Sequence, residues 1–173
     1  IGYVQEALSL GKGVVALTAH LGNWELAGVA TALSGHDLWA VALEHKNKKV
    51  NDFFNAQREG KRVHVIPFSS AVRQCLAVLR QKRVLALVGD RDFHGKGIMV
   101  DFFGKPAKLP LGPAVFSLKT GSPVVPGFLI REGSEDNFRL VFEKPIILSP
   151  SGDTEKDIKE AARAFTGWQF QLN

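Results

Sequence analysis

The chain has 173 residues, 45% of them hydrophobic, so it can bury one sizeable core and is predicted to be a single domain over residues 1–173. Its net charge of +5 favours an anionic membrane surface, a phosphorylated headgroup or an acidic protein as partner. A single cysteine excludes a disulfide scaffold and fits a reducing compartment. No apolar run approaches the roughly 20 residues of a membrane span.

Strand-like and helix-like patterns alternate along the chain. The first half is predicted to contain a strand over Val14–Leu17, a helix beginning at Asn23, a strand over Leu38–Leu43, a helix over Lys49–Arg58, a strand over Val63–Ile66 and a helix from Ser70 to Gln81. The second half is predicted to contain a strand over Val84–Val88, a functional loop over residues 90–110, a helix over Gly112–Lys119, strands over Val124–Ile130 and Phe138–Phe142 and a helix over Asp153–Trp168. This order predicts an α/β layered fold with a largely parallel central sheet flanked by helices.

His20 and Glu25 lie on either side of the first strand-to-helix junction. If Gly22 makes a bend there, the Glu25 carboxylate can hold one imidazole nitrogen while the other accepts a proton from a substrate hydroxyl. Asn23 is placed either to cap the helix or to orient this dyad. The spacing alone is equally compatible with a histidine that packs at a strand end beside a solvated glutamate.

The chain offers no good nucleophile of its own. It contains no Gly-x-Ser-x-Gly motif, and Cys75 lies in an apolar-periodic helix where it is predicted to pack rather than react. The other histidines have no metal-ligand spacing to one another or to Cys75, so no metal is predicted: His36, His45, His64 and His94.

The segment His20–Glu25 resembles the His-x4-Asp/Glu motif of the lipid A biosynthesis (lauroyl/myristoyl) acyltransferases, a family within the lysophospholipid acyltransferase superfamily. Three further blocks follow in the order of that family: Glu44–Asn47 with Asn51 and Asn55–Gly60, then Val88–Phe93, and then Asp101–Ala107 with Leu118–Pro126. Lys46 and Arg91 stand where the family often has Arg and Gln, which leaves the identity of the acceptor lipid open.

The resemblance implies a catalytic role for His20 and Glu25 and a substrate-binding role for a larger set. Because Asp90 and His20 both follow apolar strands, one cleft is expected to contain them. Arg58 is expected to meet phosphate or carboxylate through its planar guanidinium. The substrate-binding set is Asn23, Lys46, Asn51, Arg58, Asp90, Arg91, Phe102, Phe103 and Gly104.

The function that the resemblance implies is an O-acyltransferase for a membrane glycolipid similar to a lipid A precursor, without a cofactor. The acyl donor is expected to be acyl carrier protein, or alternatively acyl-coenzyme A. The family implies the cytoplasmic face of the bacterial inner membrane, with the chain as the catalytic half of a longer protein that carries its anchor elsewhere. The alternatives are an acyltransferase for a glycerophospholipid or mannosylated lipid, and a non-catalytic module that binds lipid or nucleic acid.

Residues 90–110 are expected to lie beside His20 and to meet the membrane or an acyl chain. They combine six apolar side chains with three lysines, which suits an anionic membrane surface: Phe93, Ile98, Met99, Val100, Phe102 and Phe103 with Lys96, Lys105 and Lys108. Such interleaving also suits single-stranded nucleic acid, which the family resemblance disfavours. The competing expectation is that these apolar side chains close the core of the domain.

Overall fold

A computed structural model describes residues 1–93, 95–133 and 136–166. The helices are α1 Gly2–Ser9, α2 Trp24–Leu33, α3 Lys48–Glu59, α4 Ala71–Arg80, α5 Gly112–Thr120 and α6 Thr154–Thr166. The strands are β1 Val14–Thr18, β2 Leu38–Ala42, β3 Val63–Pro67, β4 Val84–Val88, β5 Ile98–Phe102, β6 Lys105–Leu109, β7 Val124–Glu132 and β8 Asn137–Phe142. His94 and the predicted end of the last helix at Trp168 lie outside the described residues.

Six strands form one sheet in the order β3-β2-β4-β1-β7-β8. The first five strands in that order are parallel, and β8 pairs antiparallel with β7. This confirms the predicted α/β architecture. The strand order also makes β1 and β4 neighbours although they are far apart in the sequence, and this neighbourhood determines the geometry of the site.

Helices cover both faces of the sheet. On one face, α1 and α2 pack Val4 and Ala32 against the strand residue Val14. On the other face, α4, α5 and α6 build the larger core cluster, which includes Leu79 and Phe116. The central strands carry nearly continuous apolar runs because helices bury them from both sides.

Cys75 belongs to the larger core cluster, as the sequence predicted, and is fully buried. Burial raises the pKa of its thiol to about 12. The thiolate, which is the reactive form, is therefore suppressed at this position.

Residues 90–110 were predicted as a loop but contain a β-hairpin of β5 and β6. Its two-residue turn consists of Phe103 and Gly104, both with positive φ, and the Asp101 side chain accepts a hydrogen bond from the Gly104 N–H at 2.9 Å. The sequence prediction missed it because Pro106 and the scattered lysines obscure the alternation of a strand pair. Of the apolar residues predicted in this loop, Val100 is buried and Ile98 is half-buried, whereas Phe93, Met99, Phe102 and Phe103 are exposed.

Candidate functional site

The site forms at the carboxyl end of the sheet, where β1 and β4 end side by side. These strands pair in parallel with Thr18 opposite Val88. Two residues beyond that pair, His20 and Asp90 therefore emerge opposite each other. Their side chains are in direct contact, through the His20 Nδ1 and the Asp90 Oδ1.

Asp90 holds His20 through both of its carboxylate oxygens. The His20 Nδ1 lies 2.7 Å from Oδ1, and the His20 backbone N–H donates to Oδ2 at 3.1 Å. Because a carboxylate only accepts, a neutral imidazole in this contact carries its proton on Nδ1 and has its lone pair on Nε2. Trp24 packs edge-on against the imidazole with ring centroids 4.8 Å apart, so the ring is fixed from two directions.

The expectation that Glu25 orients His20 is wrong for this structure. The two residues flank the same junction, but Arg58 of α3 donates to both Glu25 oxygens, from Nε at 3.1 Å and from Nη2 at 2.5 Å. Arg58 also donates to Asn55 at 3.4 Å, and its side chain is only 15% exposed. The planar guanidinium matches the carboxylate geometry, so this ion pair joins α2 to α3. Asp90, not Glu25, binds the imidazole of His20.

Two glycines allow the backbone to take this path. Gly22 has φ +63°, and a Cβ there would lie 2.4 Å from the carbonyl oxygen of Leu129. Gly89 donates its N–H to the Thr18 carbonyl at 2.8 Å, and a Cβ there would lie 2.5 Å from Cδ1 of Leu17. A side chain at Gly22 would displace the segment that leads to His20, whereas one at Gly89 would require the Leu17 side chain to move.

The other predicted polar residues are divided between structure and site. Asn23 caps α2 by accepting from the Leu26 N–H at 3.0 Å, and Asn51 accepts from the His45 N–H at 3.1 Å. Lys46 is exposed just before α3. Arg91 lines the cavity that contains His20.

A cavity of about 560 Å³ opens at His20 and runs between α2 and the sheet. Small residues on neighbouring strands provide its floor, since Ala16 and Ala40 both pair with Ala86. Its outer walls include Leu43 and Phe93. An apolar cavity of this size, with a histidine and an arginine at its mouth, suits a ligand with a long hydrocarbon part.

The segment that follows Asp90 lies beside the site, as predicted, but its hairpin tip does not line the cavity. Phe93 and Lys96 are lining residues. The Asp92 carboxylate accepts from the Gly97 N–H at 2.6 Å and so holds the start of the hairpin near the cavity. The predicted substrate-binding residues of the tip are not among its lining residues: Phe102, Phe103 and Gly104.

Comparison with known proteins assigns the chain to a family. The family model for bacterial lipid A biosynthesis acyltransferase matches residues 2–168. The chain belongs to this family. It is also similar to phosphatidylinositol mannoside acyltransferases, at 32% identity to that of Mycobacterium tuberculosis over 88% of this chain and 49% of that protein. Identity to that of Mycolicibacterium smegmatis is 31% over 88% of this chain and 51% of that protein.

The chain spans about half the length of these relatives. The family match includes all four sequence blocks noted above, and the structure brings the first three together at the carboxyl end of the sheet through His20, Arg58 and Asp90. Within the described ranges, no helix is both long and apolar enough to cross a bilayer.

The feature that sequence reasoning missed is which carboxylate contacts which basic side chain. Both Glu25 and Asp90 were identified, but the contact of Asp90 with His20 depends on the adjacency of β1 and β4, and the contact of Glu25 with Arg58 depends on the adjacency of α2 and α3. The available signal was that His20 and Asp90 each follow an apolar strand by two residues. That equal offset indicates a contact only when the two strands are neighbours in register.

Proposed function

We propose that the protein containing this chain is an O-acyltransferase that transfers a fatty acyl group from a thioester to a hydroxyl of a membrane glycolipid. The observation that carries the proposal is the His20–Asp90 contact, at 2.7 Å, at the mouth of an apolar cavity. A histidine with one nitrogen held by a carboxylate and the other free is suited to general-base catalysis. Membership of an acyltransferase family supports the same assignment.

In the proposed mechanism, the Nε2 of His20 removes the proton from the acceptor hydroxyl as its oxygen attacks the thioester carbonyl carbon. The new C–O bond gives a tetrahedral intermediate, and its collapse breaks the C–S bond. The proton on Nε2 then passes to the departing thiolate, so an ester and a thiol leave the site. Asp90 keeps the imidazole in the required tautomer and stabilises its positive charge between the two steps.

The acyl chain is proposed to occupy the cavity between α2 and the sheet. Each methylene removed from water contributes about 0.8 kcal/mol, so the chain itself supplies much of the binding energy. The alanines of the floor leave room for it where larger side chains would fill the space. The donor is proposed to be an acyl carrier protein or coenzyme A thioester, with basic residues such as Arg91 and Lys96 at the mouth to attract the anionic carrier.

The acceptor is proposed to be a mannosylated phospholipid rather than a lipid A precursor. The support is the similarity to phosphatidylinositol mannoside acyltransferases, which favours the alternative in the sequence analysis over its main expectation. In either case the acceptor hydroxyl belongs to a lipid, so the site must meet a membrane surface. We propose peripheral association at the cytoplasmic face, with the hairpin tip at Phe102 and Phe103 as one contact.

The test uses the full-length protein with an acyl thioester and either phosphatidylinositol mannoside or a lipid A precursor, with acylated lipid measured by mass spectrometry. His20→Ala should lower the rate about 10²–10⁴-fold without changing the circular dichroism spectrum. His64→Ala is the matched control, because His64 stacks on Trp39 at the other end of the sheet, with ring centroids 4.4 Å apart.

Turnover of His20→Ala close to that of the wild type would refute the mechanism. Binding of lipid by the wild type with no transfer to either acceptor would favour a non-catalytic module. Transfer to the lipid A precursor alone would show that the acceptor is a lipid A precursor, which is the main expectation from the sequence.

A further inference from the structure

Helix α3 turns its polar side towards the domain. Asn51, Asn55 and Arg58 are its partly buried residues, and they bond to the His45 backbone, to one another and to Glu25. No residue of this 12-residue helix is fully buried. A surface helix ordinarily packs an apolar stripe on the core and leaves its polar side in water, so α3 is arranged the other way.

The apolar stripe of α3 is exposed, although the Phe54 ring also stacks on the His45 imidazole with centroids 5.1 Å apart. Val50, Phe53 and Phe54 have the i, i+3, i+4 spacing of one helix face and are 39%, 60% and 42% exposed. At about 100° per residue, their mean direction lies roughly a third of a turn from that of the inward polar residues. The two phenylalanine rings contact each other edge-on, with centroids 5.6 Å apart, so they form one exposed patch. A contiguous exposed patch of this kind indicates an interaction surface.

Cations flank the patch. Lys46 and Lys49 are exposed, and neither forms an ion pair with a residue in the described part of the chain. Lys48, in contrast, is paired with Asp52 one turn later. Aromatic side chains on one face with lysines beside them are typical of a helix that lies in the plane of a membrane surface.

The position of α3 identifies the membrane as the partner, an inference that rests on the proposed function. Arg58 of the helix lines the cavity that opens at His20, and the exposed residues Leu43 and Phe93 line the same cavity. A lipid hydroxyl that reaches His20 must come from a bilayer facing this end of the sheet. The outward stripe of α3 then meets that bilayer.

We propose that α3 docks on an anionic membrane, with Val50, Phe53 and Phe54 between the lipid headgroups and with Lys46 and Lys49 on lipid phosphates. The helix thereby sets the depth of the cavity mouth relative to the headgroup layer. The inward polar side of α3 keeps Arg58 in contact with Glu25. The exposed apolar side provides the surface that contacts the bilayer.

The experiment reads the local environment of α3, so that an anchor elsewhere in the protein does not mask the result. Phe53→Cys is labelled with an environment-sensitive nitrobenzoxadiazole probe in the full-length protein, with any cysteine outside this chain replaced; Cys75 is buried and stays unlabelled. Leu33→Cys, at an equally exposed leucine at the far end of α2, is the matched control. Both proteins also carry His20→Ala, so the result does not depend on turnover.

We expect phosphatidylglycerol vesicles to shift the emission of the probe to the blue at position 53 but not at 33, and brominated lipids to quench it. Lys46→Gln and Lys49→Gln should each lower the apparent affinity for vesicles, measured from this shift, about fivefold. Added salt should also lower that affinity. Phosphatidylcholine vesicles should give a weaker response.

Three results would overturn the proposal. A blue-shifted probe at position 53 before any vesicle is added would mean that the rest of the protein covers the stripe. A shift with acyl carrier protein but not with vesicles would assign α3 to the donor. No shift with either would show that the stripe stays in water. None of these results concerns the chemistry at His20, which the transfer assay tests separately.

Discussion

The two ends of the central sheet carry the same types of residue in different arrangements. At the carboxyl end, His20 contacts Asp90 and Trp24, and the cavity beside them is open to a ligand. At the amino end, His64 stacks on Trp39, whose other neighbour is the Arg83 guanidinium, 4.4 Å from its ring centroid. Both ends thus have a histidine against a tryptophan, but in the described part of the chain only His20 contacts a carboxylate.

One geometric rule explains both arrangements. In parallel strands in register, residues at equal offsets beyond the strand ends face each other. Beyond β1 and β4 these residues are His20 and Asp90, whereas before β2 and β3 they are Asp37 and Arg62, which form an ion pair. The amino-end carboxylate is therefore already paired. The comparison teaches that the site depends on which residue types the register places opposite each other, not on their presence.

The largest expected difference between the two ends concerns their aspartates. Asp90→Asn should lower acyl transfer about 10²–10⁴-fold, because an amide can stabilise the wrong imidazole tautomer and carries no negative charge. Asp37→Asn should leave transfer unchanged and lower the free energy of unfolding by about 1 kcal/mol at most, since its ion pair is exposed. Rates and urea denaturation of both variants test this, and equal transfer rates would remove the distinction between the ends.

The two tryptophans should separate stability from activity. Trp39 packs against the larger core cluster, so Trp39→Ala should lower the free energy of unfolding by about 3 kcal/mol and leave kcat nearly unchanged. Trp24 is 36% exposed and touches His20, so Trp24→Ala should lower kcat with a stability loss of about 1 kcal/mol. Thermal unfolding and steady-state kinetics on both variants test this. The prediction is wrong if a single one of the two substitutions causes both the larger loss of stability and the larger loss of kcat.

The third difference lies within α3. Arg58→Ala should lower kcat/KM about 10- to 100-fold, because it leaves Glu25 without its partner at the cavity mouth and releases α3 from α2. Lys48→Ala breaks only an exposed pair with Asp52 worth about 0.3–0.5 kcal/mol. Its effect on transfer should be small and should vanish at high salt. Equal, small losses for both variants would mean that Arg58 contributes only surface charge.

The fold was predictable because local patterns decide it. The apolar runs at Val14–Leu17 and Val84–Val88 are strands in the structure, and Asn23 caps the helix that follows the first of them. The strand order was not predictable, because the pairing of β1 with β4 joins segments about 70 residues apart and no local pattern encodes it. The partner of Glu25 was misassigned for the same kind of reason, because Arg58 lies 33 residues away on α3.

Helix α3 also shows that a local pattern does not predict contacts between distant elements. Its sequence predicted a helix over Lys49–Arg58, close to the observed Lys48–Glu59, and its periodicity is clearly amphipathic. Periodicity identifies an apolar stripe but does not say what the stripe faces. The inward direction of Asn51 and Arg58 depends on Glu25, which belongs to another element.

The smallest expected effect is a pH dependence of stability that involves Asp157 of α6. Asp157 in α6 accepts from the Ser151 N–H at 2.9 and 3.0 Å and from the Ser151 hydroxyl at 2.6 Å. These hydrogen bonds favour the charged form and lower the pKa of Asp157 below its ordinary value of 3.8. A carboxyl whose folded pKa is lowered contributes stability above its unfolded pKa and loses it as the pH falls through the folded pKa.

Asp157→Asn should therefore be less stable than the wild type near pH 6, and the difference in free energy of unfolding should shrink below about pH 4. Ser151→Ala should reduce the same pH dependence, because it removes the hydroxyl that donates to the carboxylate. Urea denaturation at pH 3, 4 and 6, followed by circular dichroism, measures both differences. Parallel stability profiles for the wild type and Asp157→Asn would show that the carboxylate is not stabilised by Ser151. Because neither residue touches His20 or α3, acyl transfer at neutral pH should change little in either variant, which separates this effect from those at the carboxyl end of the sheet.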